Sequence, residues 1–94
     1  MQNLSYVRFI DRTILKSVAI FFNALSCEIS ARTCFEDLDA DWHDLEIFLS
    51  IIEEDFRVRI TQKAPFIDTV GDVIKAVKTE LFSKLSGLEL RTRN

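Results

Sequence analysis

The chain has 94 residues but only two glycines, one proline, two cysteines and a single histidine. So few turn-formers argue against a turn-rich β fold and for helices joined by short connections. Cys27 and Cys34 match no common zinc or redox spacing, and one histidine cannot complete a metal set, so no metal site is expected. Both cysteines read as reduced thiols, and nothing beside them except Arg32 would activate a nucleophile. No apolar run approaches the ~20 residues that span a bilayer. Arg8, Arg12 and Lys16 do precede the run Val18-Ala19-Ile20-Phe21-Phe22, and Ala24-Leu25-Ser26-Cys27 is set out like a lipoprotein cleavage box. Asp11 in the basic part, Asn23 at the end of the run and Leu25 before the cysteine region all fit a leader poorly, so a cytoplasmic protein without a membrane role is expected.

Basic residues are missing from one long stretch. Residues 36–55 carry nine acids, Glu36, Asp37, Asp39, Asp41, Asp44, Glu46, Glu53, Glu54 and Asp55, and no Lys or Arg. Residues 57–94 carry eight bases against four acids. With a net charge of −3, nucleic acid is not the expected ligand. A focused acidic segment fits a basic protein partner, and equally fits a solvated helix face. Lysines of the last helix lack interleaved exposed aromatics, which leaves them as a solvated face too.

What is present is apolar periodicity. Hydrophobic residues make up 48% of the chain, enough for one self-supporting domain over residues 1–94. Eight phenylalanines are many for so small a core, so some are expected near the surface, with a homodimer or a partner groove to cover them. Ile10, Ile14, Val18, Phe21, Phe22 and Leu25 predict a first helix over 4–26, and Phe9, Leu15 and Ile20 widen its apolar side toward more than one neighbour. A long connection follows over 27–41, anchored by Ile29, Phe35 and Leu38. Leu45, Phe48, Leu49, Ile52 and Phe56 predict a second helix from Asp41, its cap, to about Asp55. Its other side carries His43, Glu46, Ile47, Ser50 and Glu54.

Val58 and Ile60 alternate with polar residues, but no second strand exists to pair with them, so 57–68 is expected as an irregular link with one helical turn near 64–67. Thr69 and Asp72 form an approximate capping box for a last helix bearing Val70, Val73, Ile74, Val77, Leu81 and Leu85. Lys75, Lys78 and Lys84 are expected to face water, Gly87 to stop the helix, and the tail LELRTRN to fray.

The run DADWHDLEIFLSIIEEDF resembles the acyl carrier proteins. Ala40-Asp41 match the Ala-Asp of their loop signature, Glu53-Glu54-Asp55-Phe56 match the acidic cluster that closes their second helix, and Asp68-Thr69-Val70 match the opening of their last helix. The resemblance covers roughly residues 10–82. It implies an all-α carrier-type bundle of three longer helices plus a short segment, and it implies that acids of the second helix meet Lys/Arg patches on a partner. One departure matters. Trp42 stands where carriers have the serine that takes phosphopantetheine, and no hydroxyl residue lies between Thr33 and Ser50. An indole offers no nucleophile for that attachment. No cofactor and no catalysis are therefore expected; His43 beside Asp44 does not make an acid–base pair, because adjacent helix positions do not face each other.

The expected function is a non-catalytic, carrier-like binding module. Its partner surface comprises Asp41, Trp42, His43, Asp44, Glu46, Ile47, Glu53, Glu54 and Asp55. The alternative is a carrier that holds an acyl chain non-covalently or is modified at an atypical position. Ile47 falls where carriers usually have an acid, and with Ile51 and His43 it can give the surface a desolvated centre. Trp42 is either a partner anchor or a lid on the core; its helical angle, at the rim of the Leu45/Leu49 stripe, allows both.

Overall fold

A computed structural model of the chain describes residues 2–93, with side chains described for residues 7–84. The described chain is a small all-α bundle of three α-helices, α1 (Gln2–Phe21), α2 (Trp42–Phe56) and α3 (Val70–Arg93). Three 3-10 turns, Ser26–Glu28, Phe35–Leu38 and Thr61–Phe66, lie in the connections.

The buried stripe of each helix is the periodic one, except that Leu25, expected on the stripe of the first helix, lies past its end and is exposed. Ile10, Ile14 and Val18 of α1, Leu45, Phe48, Leu49 and Ile52 of α2, and Val70, Val73, Ile74 and Val77 of α3 meet in one core. Phe48 is its largest fully buried side chain. Phe21, Phe22 and Phe35 gather around it with ring centroids 5.5, 5.6 and 6.0 Å away, at tilted angles that suit aromatic quadrupoles.

α1 ends at Phe21, five residues before the expected boundary. Asn23 takes the left-handed conformation, with φ of 54°, that asparagine tolerates better than most residues. The Ala24 N–H then reaches back to the Ala19 carbonyl at 2.9 Å and closes the helix end. The wide apolar side of α1 is also only partly covered. Leu15 packs on the core, but Phe9 is 57% and Ile20 72% exposed, because α2 and α3 occupy only the other flanks.

The connection 27–41 is anchored by buried Ile29 and Phe35 and half-buried Leu38, as its apolar residues suggested. It is also stitched to the start of α3. Phe35 N–H donates to the Asp68 carbonyl, Val70 N–H to Thr33 and Gly71 N–H to Ala31, all at 2.8–2.9 Å. A Cβ on Gly71 would lie 2.8 Å from that Ala31 carbonyl oxygen, so only glycine lets the segment approach this closely. Val58 and Ile60 are buried in the link after α2, and the helical turn there is a full Thr61–Phe66 segment, earlier and longer than expected.

α3 opens with the expected box. Thr69 Oγ1 accepts the Asp72 N–H at 3.2 Å, and the Asp72 carboxylate accepts the Thr69 N–H at 3.0 Å and the Asp68 N–H at 2.8 Å. Those donors, the Asp68 N–H foremost, outweigh the opposing effect of burial and lower the Asp72 pKa. Gly87 does not stop the helix, which runs on to Arg93. A glycine inside a helix costs only about 1 kcal/mol, and a stop requires a following cap geometry as well. Lys78 does not simply face water: its Nζ lies 2.7 Å from the Asp11 carboxylate and ties α3 to α1. The side chain of Leu85 lies outside the described residues.

Candidate functional site

The candidate surface is built on α2, whose inward stripe fixes where everything else points. Once Leu45, Phe48, Leu49 and Ile52 are buried, His43, Ile47, Ser50, Ile51 and Glu54 must lie outside. The helix begins with a reciprocal capping box. The Asp44 N–H donates to the Asp41 carboxylate at 2.8 Å, and the Asp41 N–H donates to the Asp44 carboxylate at 3.2 Å. Asp41 was legible as the cap; the return bond from Asp44 was not.

Trp42 sits in the first turn and is 54% exposed. It is therefore not a closed lid on the core. It stands over an open cleft of about 550 Å3 whose apolar wall includes Phe35, Leu45, Ala64 and Pro65, with Glu36 and Asp68 at its edge. His43 beside it is exposed. The Asp44 carboxylate is turned to the helix cap, where it accepts the Asp41 N–H. The Ser50 hydroxyl, further along, donates to the Glu46 carbonyl at 3.0 Å and stays local to the helix. Ile47 and Ile51 are 41% and 40% exposed, one turn apart on the outer side.

The acids divide into two kinds. Glu54 and Asp55 are exposed, and no ion pair of the described residues engages them. Glu53 turns inward along the flank. Its carboxylate accepts the Ile60 N–H at 2.7 Å and the Thr61 N–H at 2.8 Å, which closes the start of the Thr61–Phe66 turn. Burial by itself would raise the Glu53 pKa, but the Thr61 and Ile60 N–H groups and the Arg59 charge together lower it. Sequence reasoning grouped Glu53 with the partner-facing acids. Its clamp has no local signature, since the donors lie seven and eight residues downstream across a change of direction. α2 ends at Arg57, which adopts a left-handed φ of 57°. The Lys84 ammonium donates to the Arg57 carbonyl there.

Elsewhere, α1 and α3 enclose an open, mostly apolar groove of about 450 Å3, lined by Leu15, Ile74 and Phe82 with Lys75 alongside. Cys27 is exposed and Cys34 half-buried. Among the described residues no three His, Cys, Asp or Glu side chains come together to hold a metal ion, and no helix is long and apolar enough to cross a membrane. Set against known protein families, curated proteins and solved structures, the chain matches none.

Proposed function

We propose that this chain is a non-catalytic, acyl carrier-like binding module that docks a basic protein on the outer face of α2 without a phosphopantetheine arm. The observation that carries the reading is the half-exposed indole of Trp42 at the first turn of a helix whose exposed charges are all acidic. Each exposed acid contributes little affinity, about 0–1 kcal/mol. Together they steer a basic partner to the helix and repel acidic ones. Affinity then needs a desolvated centre, and Trp42, Ile47 and Ile51 are the exposed apolar side chains available along the helix. Asp41, His43, Asp44 and Glu46 surround them, with Glu54 and Asp55 at the far end. Glu53 contributes from within, by holding the following segment in place.

The resemblance of Asp39–Phe56 to carrier proteins supports the same choice of face, and Trp42 in place of the serine supports the absence of an arm. The test is capture of host proteins on the immobilised full chain, with Trp42→Ala and the double variant Glu54→Lys/Asp55→Lys as controls. A basic protein retained by the wild type and lost from both variants is expected. Equal recovery from all three sinks the reading. In parallel, incubation with coenzyme A and a phosphopantetheinyl transferase is expected to leave the intact mass unchanged; a gain of one arm favours the atypically modified carrier instead.

A further inference from the structure

The exposed residues of α1 and the C-terminal half of α2 flank a shallow apolar hollow of about 170 Å3, lined by Ser17, Ile20, Phe21, Phe48 and Ile51. On α1, Arg12, Lys16 and Ile20 follow at four-residue intervals and are all exposed, so they form one stripe. It reads cation, cation, isoleucine. On α2, Ile47, Ile51 and Asp55 follow at the same interval and are also exposed. That stripe reads isoleucine, isoleucine, acid, with Glu54 adjacent to the acid. No ion pair of the described residues engages Arg12, Lys16, Glu54 or Asp55.

We propose that a second copy of this chain covers this face, with α1 of each copy lying antiparallel on α2 of the other in a two-fold dimer. Antiparallel stacking brings Ile20 onto Ile51 and Lys16 toward Asp55 and Glu54. The two-fold axis repeats each contact, so the apolar centre is framed by opposite charge on both sides. The converse pairing, α1 on α1, sets Arg12 and Lys16 against their own copies and is disfavoured. Charge complementarity therefore selects both the occupant and its orientation.

α2 is 15 residues long, so the two facing helices share at most about 22 by 20 Å, on the order of 450 Å2 per copy, which falls below the standard size of specific interfaces. An interface of that size belongs with the weak, transient associations. It occupies Ile51 and the acidic end of α2. Trp42, nine residues before Ile51 and about 14 Å away along the axis, stays uncovered.

The test is sedimentation equilibrium of the full chain from about 1 µM to about 500 µM, bracketing the affinity expected for so small an interface. The wild-type mass is expected to rise from 10.9 kDa toward twice that value. Ile20→Glu, at a position 72% exposed, is expected to keep its helical circular dichroism and remain at 10.9 kDa. Lys16→Glu is expected to weaken the dimer about tenfold, and Lys16→Glu combined with Asp55→Lys to restore it. A wild type that stays monomeric throughout overturns the proposal. So does an Ile20→Glu variant that associates like the wild type, or an assembly that grows past two copies. The dimer covers Glu54 and Asp55 and so competes with the basic partner proposed above for that end of α2. Ile20 itself lies outside the partner surface, so Ile20→Glu is expected to hold protein capture at or above the wild-type level, and capture lost with Ile20→Glu would count against the partner reading rather than the dimer.

Discussion

The two ends of α2 use the same residue type for different work. At the N-terminal end, Asp41 and Asp44 close on each other's backbone N–H groups within one turn, and Trp42 and His43 project outward from the rigid start they make. At the C-terminal end, Glu53 reaches across to Ile60 and Thr61 and fixes a segment that carries buried Val58, Ile60 and Ala64 into the core. Asp55 lies only two residues beyond Glu53 but points to a different side of the helix, exposed and outside the clamp. An acid's role here follows from which unsatisfied N–H groups lie within its reach. The number of acids in the stretch does not decide it.

The sharpest way to break the contrast is Glu53→Ala. It strands the Ile60 and Thr61 N–H groups, and each buried donor left unpaired costs about 1–3 kcal/mol. A loss of about 3 kcal/mol is expected, lowering the melting temperature by roughly 12–24 °C for a domain of this size. Thermal unfolding followed by circular dichroism reads it. A change below about 0.5 kcal/mol would mean that water replaces the carboxylate without cost.

Acid tests the same clamp without mutation. The folded state holds the Glu53 and Asp72 pKa values below their ordinary ones. The stability this gives is fully present above the usual carboxylate range of about 4–4.5 and is lost as pH falls through the lowered folded values. Unfolding scans from neutral pH downward are expected to show a declining melting temperature below that range. Glu53→Gln, which cannot titrate, is expected to start lower and fall less steeply; a parallel curve would remove Glu53 from the linkage.

The same distinction marks what the sequence can carry. Periodicity placed the core of all three helices, since burying Leu45, Phe48, Leu49 and Ile52 leaves no freedom about which face of α2 is outside. The Thr69/Asp72 box was readable because its two partners are three residues apart. The Glu53 clamp and the Lys78–Asp11 pair were not, because their partners come together only after the chain has folded back. The end of α1 at Phe21 turned on one left-handed asparagine, and the passage of α3 through Gly87 on the lack of one. For Trp42 the helical angle left core and surface open, and only the placement of the Phe35–Leu38 turn and Pro65 around it decided for an exposed wall of a cleft.

At the opposite end of α2 the expected effect is smaller. Asp41→Ala removes one acceptor from a box whose other half, the Asp44 carboxylate on the Asp41 N–H, remains. The cost is about 1 kcal/mol, the ordinary value for an N-cap. Asp41→Asn keeps an acceptor at the cap and is expected to recover most of it in denaturant titration. A loss as large as that of Glu53→Ala would erase the contrast between a local cap and a long-range clamp.

Glu54→Lys is expected to do the least to stability and the most to recognition. The side chain is exposed, with no ion pair or hydrogen bond to lose among the described residues. Unfolding should shift by no more than about 0.5 kcal/mol. The substitution moves the net charge from −3 to −1, since a negative group becomes positive. That weakens the field on the face proposed to dock a basic partner, so association should slow and lose part of its salt dependence while dissociation changes less. Glu53→Ala is expected to give the reverse profile: a fold strained throughout, with binding per folded molecule retained. If Glu54→Lys instead unfolds the chain, or leaves association untouched at low salt, then the outer acids of α2 are not a recognition surface, and Trp42 with its cleft must carry binding alone.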